Sequence, residues 1–302
     1  MRRLPALVAA LLLPASQPLL LGTALSTASL LVSEAPARAQ SSVDALLEKA
    51  RALLGKQGSE QEVIKLANLV LAIRQSAYAY FYRAYAKSDL GDKQGAIADY
   101  SQAIAIAPQD ADAYINRGNV KSDLGDRQGA IADYTQAIAI NPKLAEAYYN
   151  RGNAKSDLGD KQGAIADYNQ AIAINPKLAE AYYNRGIEKS DLGDKQGAIA
   201  DYSQAIAINP QYADAYINRG NAKSALGDKQ GAITDFNKAI AINPEYATAY
   251  KNRGIALEET GDISSACKDW RVAASLGDQD AADWVSRQCQ QIASTHPQKP
   301  LP

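Results

Sequence analysis

A 34-residue step runs through most of this chain. Tyr80, Tyr114, Tyr148, Tyr182, Tyr216 and Tyr250 keep it, as do Gly91, Gly125, Gly159, Gly193, Gly227 and Gly261. Pro108, Pro142, Pro176, Pro210 and Pro244 follow the same step. Residues 145–178 and 179–212 differ only at Asn153/Ile187, Ala154/Glu188, Asn169/Ser203, Lys177/Gln211 and Leu178/Tyr212. A unit copied at this step cannot close round one compact centre. Each copy buries its apolar face against its neighbours, so the chain must stack as an array. Six units fit, 77–110, 111–144, 145–178, 179–212, 213–246 and 247–280.

Each unit reads as two helices. In 145–178 the first runs from Ala145 to Leu158, with Tyr148, Gly152 and Leu158 on its packing face. Gly159 supplies a left-handed stop and Asp160 is placed to cap the next helix. That helix, Lys161 to Ile174, carries Ala164, Ile165, Tyr168, Ala171 and Ile172 as an apolar stripe. Asn175-Pro176 ends it. Gly152 and Ala164 lack bulk, which predicts close approach of the two backbones there.

Tyr, Gly, Ala, Tyr, Ala and Pro at unit positions 4, 8, 20, 24, 27 and 32 resemble the tetratricopeptide (TPR) pattern over residues 77–280. The repeats are similar to those of secreted bacterial TPR proteins reading Y-x-N-R-G. The resemblance implies an all-α solenoid, a right-handed superhelix of antiparallel helix pairs. The chain departs from the usual apolar residues at positions 7 and 11, where it has Arg and Lys. Position 7 lies on the packing side, so its charge needs a partner. Each Arg has an Asp sixteen residues later: Arg83/Asp99, Arg117/Asp133, Arg151/Asp167, Arg185/Asp201, Arg219/Asp235 and Arg253/Asp269. Six intra-repeat ion pairs are expected, in preference to a basic ligand ladder.

The ends differ from the middle, as a stack that stops in water requires. Residues 40–76 read as a degenerate capping pair (Asp44–Leu54 and Glu60–Ile73), 281–293 as a capping helix (Ala281–Ile292), and 294–302 as a disordered Pro-rich tail. At the start, Arg2 and Arg3, an apolar stretch from Leu4 to Val32, and Ala37-Arg38-Ala39 before Gln40 are the three parts of a secretory signal peptide over 1–39. Pro5, Pro14, Pro18 and Gly22 interrupt the stretch, which weakens the alternative of an uncleaved membrane anchor. The expected location is the periplasm or the extracellular space, or a thylakoid lumen in a photosynthetic source. In such a compartment Cys267 and Cys289, at similar heights on two helices running from the Gly277 turn, favour a disulfide over two inert thiols.

Chemistry is sparse. Lys+Arg 32 nearly balance Asp+Glu 33, which gives no basic stripe for nucleic acid. The single histidine, His296, sits in the tail. No nucleophile–base pair and no phosphate loop appears, so no catalytic residue, cofactor or metal is expected. The recurrent D-L-G-D (Asp89–Asp92, Asp123–Asp126, Asp157–Asp160, Asp191–Asp194) could suggest calcium, but a helix stop with an N-cap accounts for it.

A groove remains. In the proteins this chain resembles, positions 2, 5, 9, 12 and 13 line a concave surface that holds extended peptides. Here these give Asp112, Glu146, Glu180 and Asp214; Phe81, Ile115, Tyr149, Tyr183 and Ile217; Tyr85, Asn119, Asn153 and Asn221; and Asp89, Asp123, Asp157 and Asp191. Lys251 is the one base at position 5, unlike grooves that clamp a terminal carboxylate with lysines. Asn116, Asn150, Asn184, Asn218 and Asn252 stand at position 6 of five successive units. They read either as a ladder pairing with a peptide backbone or as solvation of the groove edge. The expected function is non-catalytic protein–protein interaction by a monomer, with an extended neutral or basic segment in an acidic, Tyr- and Asn-lined groove. The alternative is an envelope scaffold that uses its edges or convex face.

Overall fold

The computed structural model describes residues 27–289, with side chains from residue 39 onward. All regular structure among the described residues is helical. The order is α1 (Thr27–Leu53), α2 (Glu60–Ile73), α3 (Ala77–Asp89), α4 (Lys93–Ile106), α5 (Ala111–Asp123), α6 (Arg127–Ile140), α7 (Ala145–Asp157) and α8 (Lys161–Ile174). There follow α9 (Ala179–Asp191), α10 (Lys195–Ile208), α11 (Ala213–Ala225), α12 (Lys229–Ile242), α13 (Ala247–Glu259), α14 (Ile263–Ser275), α15 (Gln279–Trp284) and a π-helical turn, Val285–Cys289. The chain forms two compact units, one through Ala154 and one from Lys155, with the seam in the last turn of α7. In the first unit α4 packs between α3 and α5; in the second α10 packs between α9 and α11, and α12 between α11 and α13. First helices of successive repeats also touch: α3 meets α1 and α5, and α11 meets α9 and α13.

Each hairpin is made by four residues. After α3, Gly91 takes φ 86°, a region costing an L-residue about 1–2 kcal/mol. There the Gly91 amide donates to the Ser88 carbonyl at 3.1 Å and the Asp92 amide to the Lys87 carbonyl at 2.9 Å, closing α3. Asp92 then turns round and caps α4, its carboxylate accepting from the Gly95 amide at 2.9 Å. Asp126, Asp160, Asp194 and Asp228 do the same for the glycine three residues on. At the other end of the unit, Asn141, Asn175, Asn209 and Asn243 each accept from the amide two residues later at 3.0–3.1 Å. This turn places the proline where no helix can continue.

The position-8 glycines make room for a ring rather than for a backbone. A Cβ at Gly118 would lie 2.7 Å from the Tyr134 ring, at Gly186 2.7 Å from Tyr202, and at Gly220 2.7 Å from Phe236. At Gly254 it would meet Trp270 Nε1 at 2.3 Å. In each of these four repeats the position-24 aromatic is buried and lies against the first helix of its own repeat.

The charged departures form a network. Both oxygens of the buried aspartate accept from the guanidinium in Arg83–Asp99, Arg117–Asp133, Arg185–Asp201, Arg219–Asp235 and Arg253–Asp269, at 2.5–2.9 Å. Arg151 belongs to the first unit, where it donates to Thr135 Oγ1 at 3.1 Å; Asp167 belongs to the second, where it receives Lys155 at 2.8 Å. The position-11 lysines Lys87, Lys121, Lys189 and Lys223 share the same carboxylates at 2.8–2.9 Å. Each position-7 arginine also reaches the preceding helix: Arg83 to Asn68, Arg117 to Ser101, Arg185 to Asn169, Arg219 to Ser203 and Arg253 to Asn237. It covers its own repeat's position-4 tyrosine with its guanidinium 5.3–5.6 Å from the ring centre. The charge is therefore buried, paired and shared between repeats.

The termini depart from expectation in two places. Helix α1 begins at Thr27 instead of Asp44: Ala37, Arg38, Ala39 and Gln40 are good helix formers that extend it upstream of Asp44, and it continues past Pro36. It thus runs through the expected cleavage region, while residues 1–26 of the expected leader lie outside the described residues. Among the described residues no helix is long and apolar enough to cross a membrane. At the other end the cap starts at Gln279, because Asp278 accepts from the Ala281 amide at 3.0 Å, and changes to a π turn at Val285. Cys267 of α14 and Cys289 of that turn form a disulfide, with Cα atoms 5.6 Å apart. Trp284 packs edge-on to Trp270 at 5.4 Å beside it. The tail 294–302, His296 included, lies outside the described residues.

Candidate functional site: an inner face of tyrosine, asparagine and aspartate

The first helices of successive repeats lie side by side within each unit, and the expected groove residues fall on them unevenly. In the first unit Phe81, Ile115 and Tyr85 are core, not lining: Phe81 and Ile115 are fully buried and Tyr85 nearly so. Phe81 is edge-on to Tyr100 at 5.4 Å, because position 5 of that helix faces the second helix of its own repeat. Asn116 is likewise buried, its amide folded back onto the Asp112 carbonyl at 2.8 Å, so it is no rung of an open ladder.

Asn150, Asn218 and Asn252 are committed in part to the preceding repeat. Asn150 donates to Asn119 Oδ1 at 3.0 Å, an oxygen that also accepts from the Tyr134 hydroxyl at 2.8 Å. In the second unit Asn218 donates to the Tyr183 hydroxyl at 2.9 Å and Asn252 to Asn221 Oδ1 at 2.9 Å. Tyr149, Asn153 and Asn184 are half-buried and engaged as well. Asn150, Asn218 and Asn252 at position 6 are thus inter-repeat links. A primary amide has further donor and acceptor capacity once one N–H is used.

In the second unit these links hold an aromatic cluster. Tyr183 on α9 stacks against Tyr212, just before α11, with ring centres 4.7 Å apart and planes tilted 35°. Tyr246, just before α13, donates its hydroxyl to Asp214 Oδ1 on α11. Burial, with the nearby Asp214 charge, pushes the Tyr183 phenol up to about 12; the hydrogen bond to Asp214, then burial, takes Tyr246 to about 12. The signal for Tyr212 was its replacement of Leu178 between near-identical units. Tyr246 stands at the same unit position, 34, in the next repeat. At the far end, Lys251 is bound by Asp278 at 2.8 Å and Asp280 at 3.2 Å, so its charge is met by the cap; the Asp278 hydrogen bond raises its pKa.

The D-L-G-D aspartates are also accounted for. The second caps a helix, while Asp123 pairs with Lys93 at 3.3 Å and Asp191 with Lys161 at 2.5 Å, each lysine one repeat back. Among the described residues no group of three or more His, Cys, Asp or Glu could hold a metal ion.

Helix pairs copied in register define a helical-repeat protein. Family patterns for the TPR repeat match residues 84–125, 118–159, 190–227 and 220–261, and the tetratricopeptide repeat pattern matches 145–178. The chain belongs to the tetratricopeptide repeat family, whose members are in general non-catalytic modules that bind protein partners. Among solved structures it is similar to MamA, at 32% identity and TM-score 0.52, over 55% of this chain and 96% of that one. It is also similar to YrrB, described as a TPR protein with an unusual peptide-binding site, at 22% identity and TM-score 0.56, over 62% and 97% of the two chains. The C-terminal part of a TPR repeat-containing protein from Cytophaga hutchinsonii aligns at 18% identity and TM-score 0.66, over 78% and 98%. No curated protein matches the chain significantly.

Proposed function

We propose that this protein is a non-catalytic interaction module, without cofactor or metal, that holds an extended neutral or basic peptide segment on the inner face of its second unit. The observation that carries this reading is the partly exposed line of Tyr183, Asn218, Asn221 and Asn252 across α9, α11 and α13. Amides with spare donors and acceptors pair with a peptide backbone whatever its sequence, while phenol rings supply rigid contact area at low entropy cost. Glu180 and Asp214 make the layer acidic, and Lys251 is neutralised by the cap. Panning a random peptide library on the full chain, against a Tyr183→Ala/Tyr212→Ala variant of equal helix content, tests it. Segments captured by the wild type and lost from the variant support the groove; equal capture by both refutes it.

A second reading, an edge-using scaffold, is favoured by Leu90, Leu124, Leu158, Leu192 and Leu226, each 43–46% exposed at a hairpin turn. Under that reading Leu192→Ser/Leu226→Ser abolishes capture of partners while the tyrosine variant keeps it. The location proposed is outside the cytoplasm, with the protein a monomer that starts at Gln40. Cell fractionation with N-terminal sequencing checks it, and a retained Met1 or Arg2 start would favour a membrane anchor.

A further inference from the structure

Asp214 is a half-buried carboxylate with one oxygen occupied by the Tyr246 hydroxyl, and among the described residues no lysine or arginine pairs with it. Three phenol rings surround this region. Tyr183 and Tyr212 stack on each other, and Asn218, one turn along α11 from Asp214, fixes the Tyr183 hydroxyl. Tyr246 is fixed on the carboxylate itself. The rings and the acid are therefore held in place before any ligand arrives, which lowers the entropy cost of binding.

The same fold shows what complements such a set. Arg185 lies with its guanidinium 5.4 Å from the centre of the Tyr182 ring and gives two parallel hydrogen bonds to Asp201. That arrangement of tyrosine face, guanidinium and carboxylate recurs with Arg219 and Arg253 in the same unit. At Asp214 the chain provides tyrosines and a carboxylate, and among the described residues no cation of its own pairs with that carboxylate.

We propose that Asp214, with Tyr183, Tyr212 and Tyr246, is a subsite for an arginine side chain of the bound segment. This deepens, and rests on, the peptide-groove reading. Arginine fits better than lysine because its planar fork bonds a carboxylate and lies on an aromatic face at once, whereas an ammonium is a strongly hydrated point charge. Glu180, in the first turn of α9, adds to the attraction.

The test titrates N-acetyl-arginine amide into the full chain with ring-labelled tyrosine, followed by NMR. Capped citrulline, a neutral isostere, and capped lysine run in parallel, and so does Asp214→Asn, which keeps an acceptor for the Tyr246 hydroxyl. Expected are saturable shifts of the Tyr183, Tyr212 and Tyr246 ring signals with arginine. Binding should be at least tenfold weaker for citrulline and for the Asp214→Asn variant. Absence of saturable shifts, equal response to citrulline, or shifts retained in Asp214→Asn overturns the proposal. Library panning separates the two levels: captured segments without arginine that still need Tyr183 and Tyr212 overturn the subsite and leave the groove standing. No captured segment overturns both.

Discussion

Removing the Asp201 carboxylate should loosen one repeat far more than replacing its whole charged set. Asp201 accepts from Arg185 Nε at 2.8 Å, from Arg185 Nη2 at 2.5 Å and from Lys189 at 2.9 Å, and is itself buried. Breaking a buried pair by deleting one partner costs about 3–5 kcal/mol. Here the orphaned cations are 16% and 24% exposed and can extend toward water, which lowers the figure for Asp201→Ala to about 2–3 kcal/mol. The triple variant Arg185→Leu/Lys189→Leu/Asp201→Leu strands no charge. It loses the link to Asn169 and the contact with Tyr182, so it should stay within about 1–2 kcal/mol of wild type. Long arrays do not unfold as one two-state unit, so the assay is hydrogen exchange resolved to α9 and α10. Asp201→Ala should accelerate exchange there roughly thirty- to hundredfold, at tenfold per 1.4 kcal/mol. The reasoning is refuted if Asp201→Ala accelerates it less than threefold, or if the triple variant is the worse of the two.

Other perturbations follow from the same structure. Gly186→Ala should cost about 1–3 kcal/mol by pressing a methyl into the Tyr202 ring, whereas Gly197→Ser should cost little, since Ser265 fills the equivalent place and Asp262 still caps its amide at 3.0 Å. Urea titration of both variants decides this, and equal losses would show that ring crowding is not the constraint. Reducing Cys267–Cys289 should release about 3 kcal/mol of loop-closure stabilisation for a 22-residue separation. Limited proteolysis would then cut within α15 first, and unchanged cleavage would count against a clamping role. Alkali tests the tyrosine cluster: the Tyr183 and Tyr246 phenols are pushed up to about 12 when folded, against an ordinary value of about 10. The unfolded chain thus loses those protons first, so their contribution is whole below pH ~10 and declines as pH rises toward ~12. Phenolate absorbance alongside circular dichroism should show two classes of tyrosine, and a single class near the ordinary value with helix retained would contradict the burial.

What could be read from the residues was what depends on neighbours close in sequence. The Gly91 stop and Asp92 cap act within five residues, and the step of sixteen from Arg83 to Asp99 joins two helices of one hairpin. Contacts between repeats were harder, because they depend on how one hairpin docks on the next. The reach of Arg117 to Ser101 and the use of Asn218 to hold Tyr183 both belong to that class. A trace was present: the position that receives each arginine is Ser101, Thr135, Asn169, Ser203 or Asn237, always a short hydrogen-bonding side chain. Groove assignment by position failed where a side chain turns inward. Phe81 and Ile115 stand at the same position as Tyr183, yet only Tyr183 has a hydroxyl that rewards staying near the surface.

The peptide groove is tested most directly by mapping where a captured segment protects the full chain from hydrogen exchange. Protection concentrated on α9, α11 and α13, and lost in Tyr183→Ala/Tyr212→Ala, is the expected result. Protection confined to the hairpin turns at Leu158, Leu192 and Leu226, with the inner helices unchanged, would contradict it and place binding on the edge.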